Sequence, residues 1–482
     1  MLSVARLDSG FSLEVDSIAP DKSISHRCAI FSLLSDKPSI IRNYLKGEDT
    51  LHSLAIAQHL GLKVENLDSN TMRFTPPKHI AEPNCVLDCG NAGTGMRLYA
   101  GLLSGVSGFF VLSGDEYLCA RPMNRIIKPL SAIGAEIHAR ANGLAPLGII
   151  GRQLKGFDYT SPIASAQVKS AMILAALHAS EPSVYRENEL SRDHTERMLR
   201  GMGARLQVDF GVLDSGVDSR VLDSGAESSK KSGVLDSGAN FGKIDSRANK
   251  IDSSAPNSAA LQIRINPLES KLDPLDFSIP ADPSSAFYFA LAAAIIPESE
   301  VLLKGVLLNP TRIEAFKVLK DMGAKVEIHT KQSAYEEIGD IYVAHDKLRA
   351  VVVEERISWL IDELPALGIA FACAEGISEV KNAKELRVKE TDRISALLEN
   401  LRVLGIECEE KEDGYTIKGG EFSSGVVKSF GDHRMAMSFA IAGLKCGVKI
   451  EDEQCIAVSF PNFIEILGEI AKVGVDFKPL DA

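Results

Sequence analysis

Six times along this chain an aliphatic run ends in a glycine set between two hydrophobic residues, and a short alternating segment follows. The glycines are Gly61, Gly134, Gly203, Gly323, Gly405 and Gly474. Representative stretches are Leu60-Gly61-Leu62-Lys63-Val64, Met322-Gly323-Ala324-Lys325-Val326 and Val473-Gly474-Val475-Asp476-Phe477. Glycine suits the left-handed residue that closes a helix, and alternation after it suits a half-buried strand. The spacings are 73, 69, 120, 82 and 69 residues. A period this long means repeated supersecondary units that need their neighbours to bury a core.

One interval is too long by roughly 45 residues. The excess falls at residues 211–259, where Val-Leu-Asp-Ser-Gly occurs three times, from Val212, Val221 and Val234, amid Ser, Asp, Asn and Lys. Such a stretch holds too little apolar surface to offset its ordering entropy, which predicts a disordered insertion. The alternating runs on either side, Ala204–Phe210 and Ala260–Asn266, read as the arms of one hairpin.

A second series keeps nearly the same period. Loops of small or acidic residues run into helices at Asp21, Asn91, Ser165, Asp282, Asp362 and Asp432, each read as supplying an N-cap. Six units predict two α/β domains of three βαβαββ modules each. A solenoid scaffold would show the same periodicity, so the repeat alone leaves a scaffold and a ligand-binding protein equally open.

Composition narrows the classes. The formal charge of -12 argues against general nucleic-acid binding. No apolar run reaches the roughly 18 residues of a membrane span. The early acidic residues Asp8 and Glu14 do not fit a leader peptide, which predicts a cytoplasmic protein. The eight cysteines include no CxxC pair and read as reduced thiols, and no His/Cys grouping has metal-ligand spacing, so no metal is expected.

The helix-starting loops collect residues suited to polyanions. Lys22, Ser23 and Arg27 fall within a turn and a half of one helix. Gly90-Asn91-Ala92-Gly93-Thr94 lets backbone N–H groups approach an anion at a positive helix end, but lacks the Gly-Lys-Ser/Thr ending of a Walker loop. Arg121-Pro122-Met123-Asn124-Arg125, Lys389-Glu390-Thr391-Asp392-Arg393 and Asp432-His433-Arg434 add more charge. Taken singly, each reads equally well as a tight turn, a solvated face or a capped helix. Their recurrence at equivalent edges of the repeats is what solvated faces do not require.

These stretches carry a resemblance. Residues 21–27 (DKSISHR), 90–97 (GNAGTGMR), 121–125 (RPMNR), 165–171 (SAQVKSA), 191–196 (SRDHTE), 386–393 (LRVKETDR) and 431–437 (GDHRMAM) occur in the order and spacing of the 5-enolpyruvylshikimate-3-phosphate synthases, once the insertion is set aside. The chain resembles that family of shikimate-pathway enolpyruvyl transferases. The resemblance implies an inside-out α/β barrel of two domains, with helix N-termini facing a cleft and the chain crossing twice. We expect one domain at 21–280 and the other at 1–20 plus 281–482.

Residue by residue, the resemblance implies that Lys22, Ser23, Arg27, Ser165, Ala166, Gln167, Asp362 and Lys389 meet shikimate 3-phosphate. It implies that Lys22, Gly93, Arg121, Gln167, Arg393 and Arg434 meet phosphoenolpyruvate. Asp362, Glu390 and Lys22 are the expected catalytic groups, with Asp362 on the attacking 5-hydroxyl and Glu390 as proton carrier. Proton carriers must flank one carbon centre, and arginine forks pair bidentately with carboxylate and phosphate. No cofactor is implied, and the expected partners are the two small substrates, with the chain acting as a monomer. Three positions depart from parts of the family: Val458, where some members have lysine; Ala166, where some have serine; and Glu385, where another branch has asparagine. Two rival readings are a UDP-N-acetylglucosamine enolpyruvyl transferase, which works through a mobile-loop cysteine, and an inactive anion-binding scaffold.

Overall fold

A computed structural model describes residues 1–212, 259–333 and 335–474. The predicted insertion falls almost wholly outside them, as does the sixth glycine unit from Val475 onward.

Each of the other five glycines adopts a left-handed φ, from 82° at Gly405 to 118° at Gly323. That conformation turns the chain out of a helix and straight into a strand, for example Lys63–Asn66 after Gly61 and Lys325–Ser333 after Gly323. Among the described residues six small sheets result, five of four strands and one of three. Every four-stranded sheet follows one plan. A first strand runs parallel to a second, which pairs antiparallel with the far arm of a hairpin. In the third unit these are Asp158–Ser161, Ser183–Glu187 and the hairpin Leu206–Val212 with Ala259–Ile265. The two hairpin arms pair from Leu206↔Ile265 to Val212↔Ala259.

Two strands arrive from far along the chain. Asp276–Ser278 lies parallel to Ser39–Arg42 in the first sheet, and Ser12–Val15 lies parallel to Glu300–Leu307 in the fourth. The three-stranded sheet is completed by Leu2–Val4, antiparallel to Val448–Glu451.

Among the described residues, these sheets enclose a set of buried helices. All 13 residues of Pro283–Ile295 and all 9 of Leu364–Ala372 are buried, as is nearly all of Gly93–Ser104. A helix apolar on every face must be enclosed, and alanine-rich runs such as Ala290–Ala294 let neighbours approach closely. Outer helices instead bury one stripe: Glu314–Met322 buries Ala315, Phe316, Leu319 and Met322. This is the inside-out arrangement expected of the fold class. One hydrophobic core draws on residues 24–279 with Leu307 and Ile338, and a second on residues 2–19 and 286–470 with Leu45.

The helix starts require a correction. The side chains of Asp21, Asp282 and Asp432 do cap, accepting from Ile24, Ser284 and Arg434 N–H at 2.7, 2.8 and 2.8 Å. Ser165 holds its N-cap position without a side-chain bond, and Asn91 and Asp362 stand one residue before the cap positions Ala92 and Glu363. Set back by that residue, the Asn91 side chain goes to Arg121 and Asp115 and that of Asp362 to three arginines. All eight cysteines are free thiols. Among the described residues no helix is long and apolar enough to cross a membrane.

Candidate active site

The starts of the enclosed helices converge on a cavity of about 380 Å³. All thirteen residues expected at the site line it: Lys22, Ser23, Arg27, Gly93, Arg121, Ser165, Ala166, Gln167, Asp362, Lys389, Glu390, Arg393 and Arg434. Its walls carry ten Lys and Arg against six Asp and Glu. An acidic chain thus presents a cationic recess, where low-dielectric walls focus the field on an entering anion.

One wall comes from residues before 280. Arg27 lies buried on Lys22–Ser32 and gives its N–H groups to Thr195 Oγ1 (2.8 Å), the Ser23 carbonyl (3.0 Å) and Ser170 Oγ (2.9 Å). All three acceptors are neutral. Burial, only partly offset by Glu196 and more distant carboxylates, draws its pKa down to about 10. Arg97 is in the same position: Nη1 donates to Gln167 Oε1 at 2.6 Å, and Nε finds no partner among the described residues. Burial and the neighbouring Arg125 and Arg121 draw it down to about 9. The depression marks buried cations that lack an anion.

Gln167 is fixed by a second bond, from Nε2 to Thr94 Oγ1 at 2.9 Å, and Arg121 by Nη2 to Asn91 Oδ1 at 2.7 Å. The Lys22 ammonium pairs with Asp49, and its backbone N–H donates to Asp282 Oδ2 at 3.1 Å. Ser165 starts Ala166–Ala176 without a capping bond, leaving its hydroxyl and the positive helix end to an anion.

The facing wall is a carboxylate–arginine lattice. Asp362 meets Arg192 Nη1 at 2.6 Å, Arg393 Nη1 at 3.3 Å and Arg434 Nε at 3.4 Å. Burial alone would raise its carboxyl, but Arg434, Arg192, Arg393 and Lys389 outweigh it and hold the group well below its usual range. Glu390 lies 2.6 Å from Arg393 and 3.7 Å from Arg121, and against the push of burial these two cations also hold it low. Arg393, 1% exposed, sends Nε to Asp432 at 2.8 Å. Lys389 reaches Glu385 at 3.3 Å, and burial lowers its ammonium pKa. Glu385 also takes Arg125 from the opposite wall at 2.9 Å.

The cavity adds residues to which sequence reasoning gave no role. Arg97, Arg192, His194 and His433 sit inside quoted motif stretches, so their signal was present but unused. Arg312 had none: it lies in Asn309-Pro310-Thr311-Arg312, outside every such stretch. Val458 does not line the cavity. Buried Asp193, His194 and Glu336 come close enough to suggest a metal site. Their valences are already used: His194 Nδ1 meets Glu336 at 2.7 Å, Arg312 donates to Nε2 at 3.2 Å, and Arg197 meets Asp193 at 2.7 Å.

Gly93 gives a direct test of the first wall. A Cβ there would stand 2.9 Å from Arg97 Nη1 and 3.3 Å from Arg121 Nη1. Gly93→Ala is therefore expected to displace these guanidinium groups and raise the KM for the smaller substrate about tenfold, the scale of modest overpacking. Steady-state kinetics checks this, and an unchanged KM would show that both arginines yield freely.

With this geometry in view, comparison with known proteins is direct. The family described as EPSP synthase (3-phosphoshikimate 1-carboxyvinyltransferase) matches residues 10–212 and 250–467. The 3-phosphoshikimate 1-carboxyvinyltransferase of Wolinella succinogenes is 56% identical over 473 residues, covering 98% of this chain and 97% of its own. That of Helicobacter hepaticus is 55% identical over 465 residues, covering 96% of each. Among solved structures, EPSP synthase from Acinetobacter baumannii superposes with a TM-score of 0.77 at 33% identity, over 100% of this chain and 99% of that one. The enolpyruvyl transferase NikO from Streptomyces tendae shares the fold, with a TM-score of 0.70 at 14% identity, over 100% and 99% of the chains.

Proposed function

The chain belongs to the EPSP synthase family, and we propose that the two walls of its cleft divide that family's reaction between them. The protein is an enolpyruvyl transferase of aromatic amino acid biosynthesis: it moves the enolpyruvyl group of phosphoenolpyruvate to the 5-hydroxyl of shikimate 3-phosphate and releases phosphate. The observation that carries the assignment of roles is the convergence of all thirteen expected site residues on one cavity.

Shikimate 3-phosphate is held by Lys22, Ser23, Arg27, Ser165, Gln167 and Lys389, with the Ala166 backbone at the helix start. Arg27 supports this, as a buried cation with only neutral partners. Phosphoenolpyruvate lies between Arg121, Arg393, Arg434 and Lys22, close to Gly93 and Gln167. Arg97 and Arg192, whose guanidinium nitrogens include unpartnered buried atoms, complete the anion-binding set.

Asp362, ionised throughout the neutral range, accepts the 5-hydroxyl proton as that oxygen attacks C2. C3 must gain a proton in the same addition, and it returns one as phosphate leaves the resulting ketal, which restores the enol double bond. Glu390 is ionised while Arg121 and Arg393 lean on it. A substrate carboxylate and phosphate that engage those cations raise its pKa and let it carry the proton. Lys22, facing the reacting centre, steadies the developing charge.

We place the domain boundary where the strands cross, giving domains 21–280 and 1–20 plus 281–482. The separate hydrophobic cores support it. We read the protein as a monomer, and its eight free thiols suit the reducing cytoplasm. The net charge of -12 disfavours nucleic acid as a partner. No cysteine lines the cavity, which disfavours chemistry of the UDP-N-acetylglucosamine type.

A phosphate-release assay tests the function. Release is expected with both substrates present and none when either is omitted. Equal release with UDP-N-acetylglucosamine as acceptor, or none with shikimate 3-phosphate, would overturn it.

A further inference from the structure

At the edge of the catalytic lattice, two short segments meet across the cleft in step. Ser358 Oγ donates to Glu189 Oε1 at 2.8 Å, Trp359 Nε1–H donates to the Leu190 carbonyl, and Arg192 meets Asp362 at 2.6 Å. The three contacts run in the same direction along residues 189–192 and 358–362. Those at the two ends belong to cavity-lining residues; Trp359 and Leu190 do not line the cavity.

Each segment is braced from behind. The one-turn helix Ile357–Leu360 starts from Arg356, a non-glycine residue at φ 54°. The Arg356 guanidinium lies 5.2 Å over the indole ring and reaches Glu314 at 2.9 Å, which fixes the plane of the ring. On the other side, the fully buried Lys169 ammonium binds Glu187 and Glu196 at 2.8 Å each and the Ser191 carbonyl at 3.0 Å. Ser191 N–H also donates to Glu187 at 2.8 Å. Two rigid supports therefore face each other, and the indole N–H is the neutral tie between them. It acts two residues from Arg192 and three from Asp362.

We propose that Trp359 is a positioning residue for the enolpyruvyl transfer: by seating its N–H on the Leu190 carbonyl it sets how Asp362 faces Arg192, without itself meeting either substrate. The indole is suited to this because it offers a single donor on a large ring held beneath Arg356. The Arg192–Asp362 ion pair alone tolerates many geometries; a directional hydrogen bond to a main-chain carbonyl does not. The proposal rests on the role given to Asp362 above.

Trp359→Phe keeps a ring under Arg356 and removes only the N–H. It is expected to raise the KM for shikimate 3-phosphate about fivefold, the scale of one hydrogen bond, with the melting temperature within about 2 °C of wild type. Trp359 is the single tryptophan of the chain, so acrylamide quenching of the wild-type emission reads the contact directly. Saturating shikimate 3-phosphate is expected to reduce that quenching. Unchanged KM and kcat in W359F, or a lowered melting temperature with unchanged KM, would make Trp359 a packing residue only. If W359F does not fold, the wild-type quenching decides, and quenching unaffected by shikimate 3-phosphate overturns the proposal. Asp362→Asn separates the two ideas: wild-type turnover there removes Asp362 from the mechanism, whatever W359F shows.

Discussion

Asp362→Asn is expected to lower turnover by about 100-fold or more, the scale of a general acid–base residue, while shikimate 3-phosphate still binds. Asparagine fills the same space but cannot accept the 5-hydroxyl proton. The structure adds an energetic consequence that motif reasoning could not supply. Arg192, Arg393 and Arg434 share this one carboxylate, so its neutralisation leaves the ligand-free site over-charged. We expect the empty variant to lose about 1–3 kcal/mol, the cost of an unmet buried polar group, and to recover part of it with substrates that bring anions of their own.

The sign of the pH dependence follows. Asp362 has a folded-state pKa depressed below 3.8, so its contribution is complete above that value and fades only as pH falls through the lower folded one. The stability gap between wild type and D362N should thus be full at pH 7 and narrow in strong acid. Wild-type turnover in the purified variant would exclude the assigned role; calorimetry across pH checks the remainder.

Arg393→Met should cost still more stability. The guanidinium is 1% exposed and sends Nε to Asp432, Nη2 to Glu390 and Nη1 to Asp362. Removing it strands carboxylates in a buried lattice, a loss of about 3–5 kcal/mol, and kcat/KM should fall to near background. Lysine is not expected to rescue, since a single ammonium cannot serve three partners along the fork of an arginine. An R393K enzyme with wild-type kinetics and melting temperature would show that charge alone, and not geometry, is required there.

Most of the architecture was legible because glycine turns and strand alternation are local signals. The left-handed φ at Gly61, Gly134, Gly203, Gly323 and Gly405 is what the hydrophobic-Gly-hydrophobic pattern requires. The helix caps were read less well. Asp21 and Asp362 look alike in sequence, yet Asp21 both caps its helix and meets Arg312, whereas Asp362 stands one residue before its cap position and turns to three arginines, a difference no local pattern reports. The gathering of motif residues was visible through resemblance. The ion-pair lattice among them was not, since Arg192 and Asp362 are 170 positions apart. The tie from Trp359 to Leu190 was invisible for a further reason: its acceptor is main chain, which leaves no mark on residue identity.

The strands contributed by the first residues bear on how the protein is made. Leu2–Val4 finds its partner only at Val448–Glu451, and Ser12–Val15 only at Glu300–Leu307. At about 5–20 residues per second, a ribosome needs on the order of 20–90 s to separate Leu2 from Ile450 in time. Until then the first strands lack their sheets, while the core drawn largely from residues 24–279 is complete in sequence well before. The enzyme is therefore finished from its two ends at once, and its last fold to close depends on its first residues having waited.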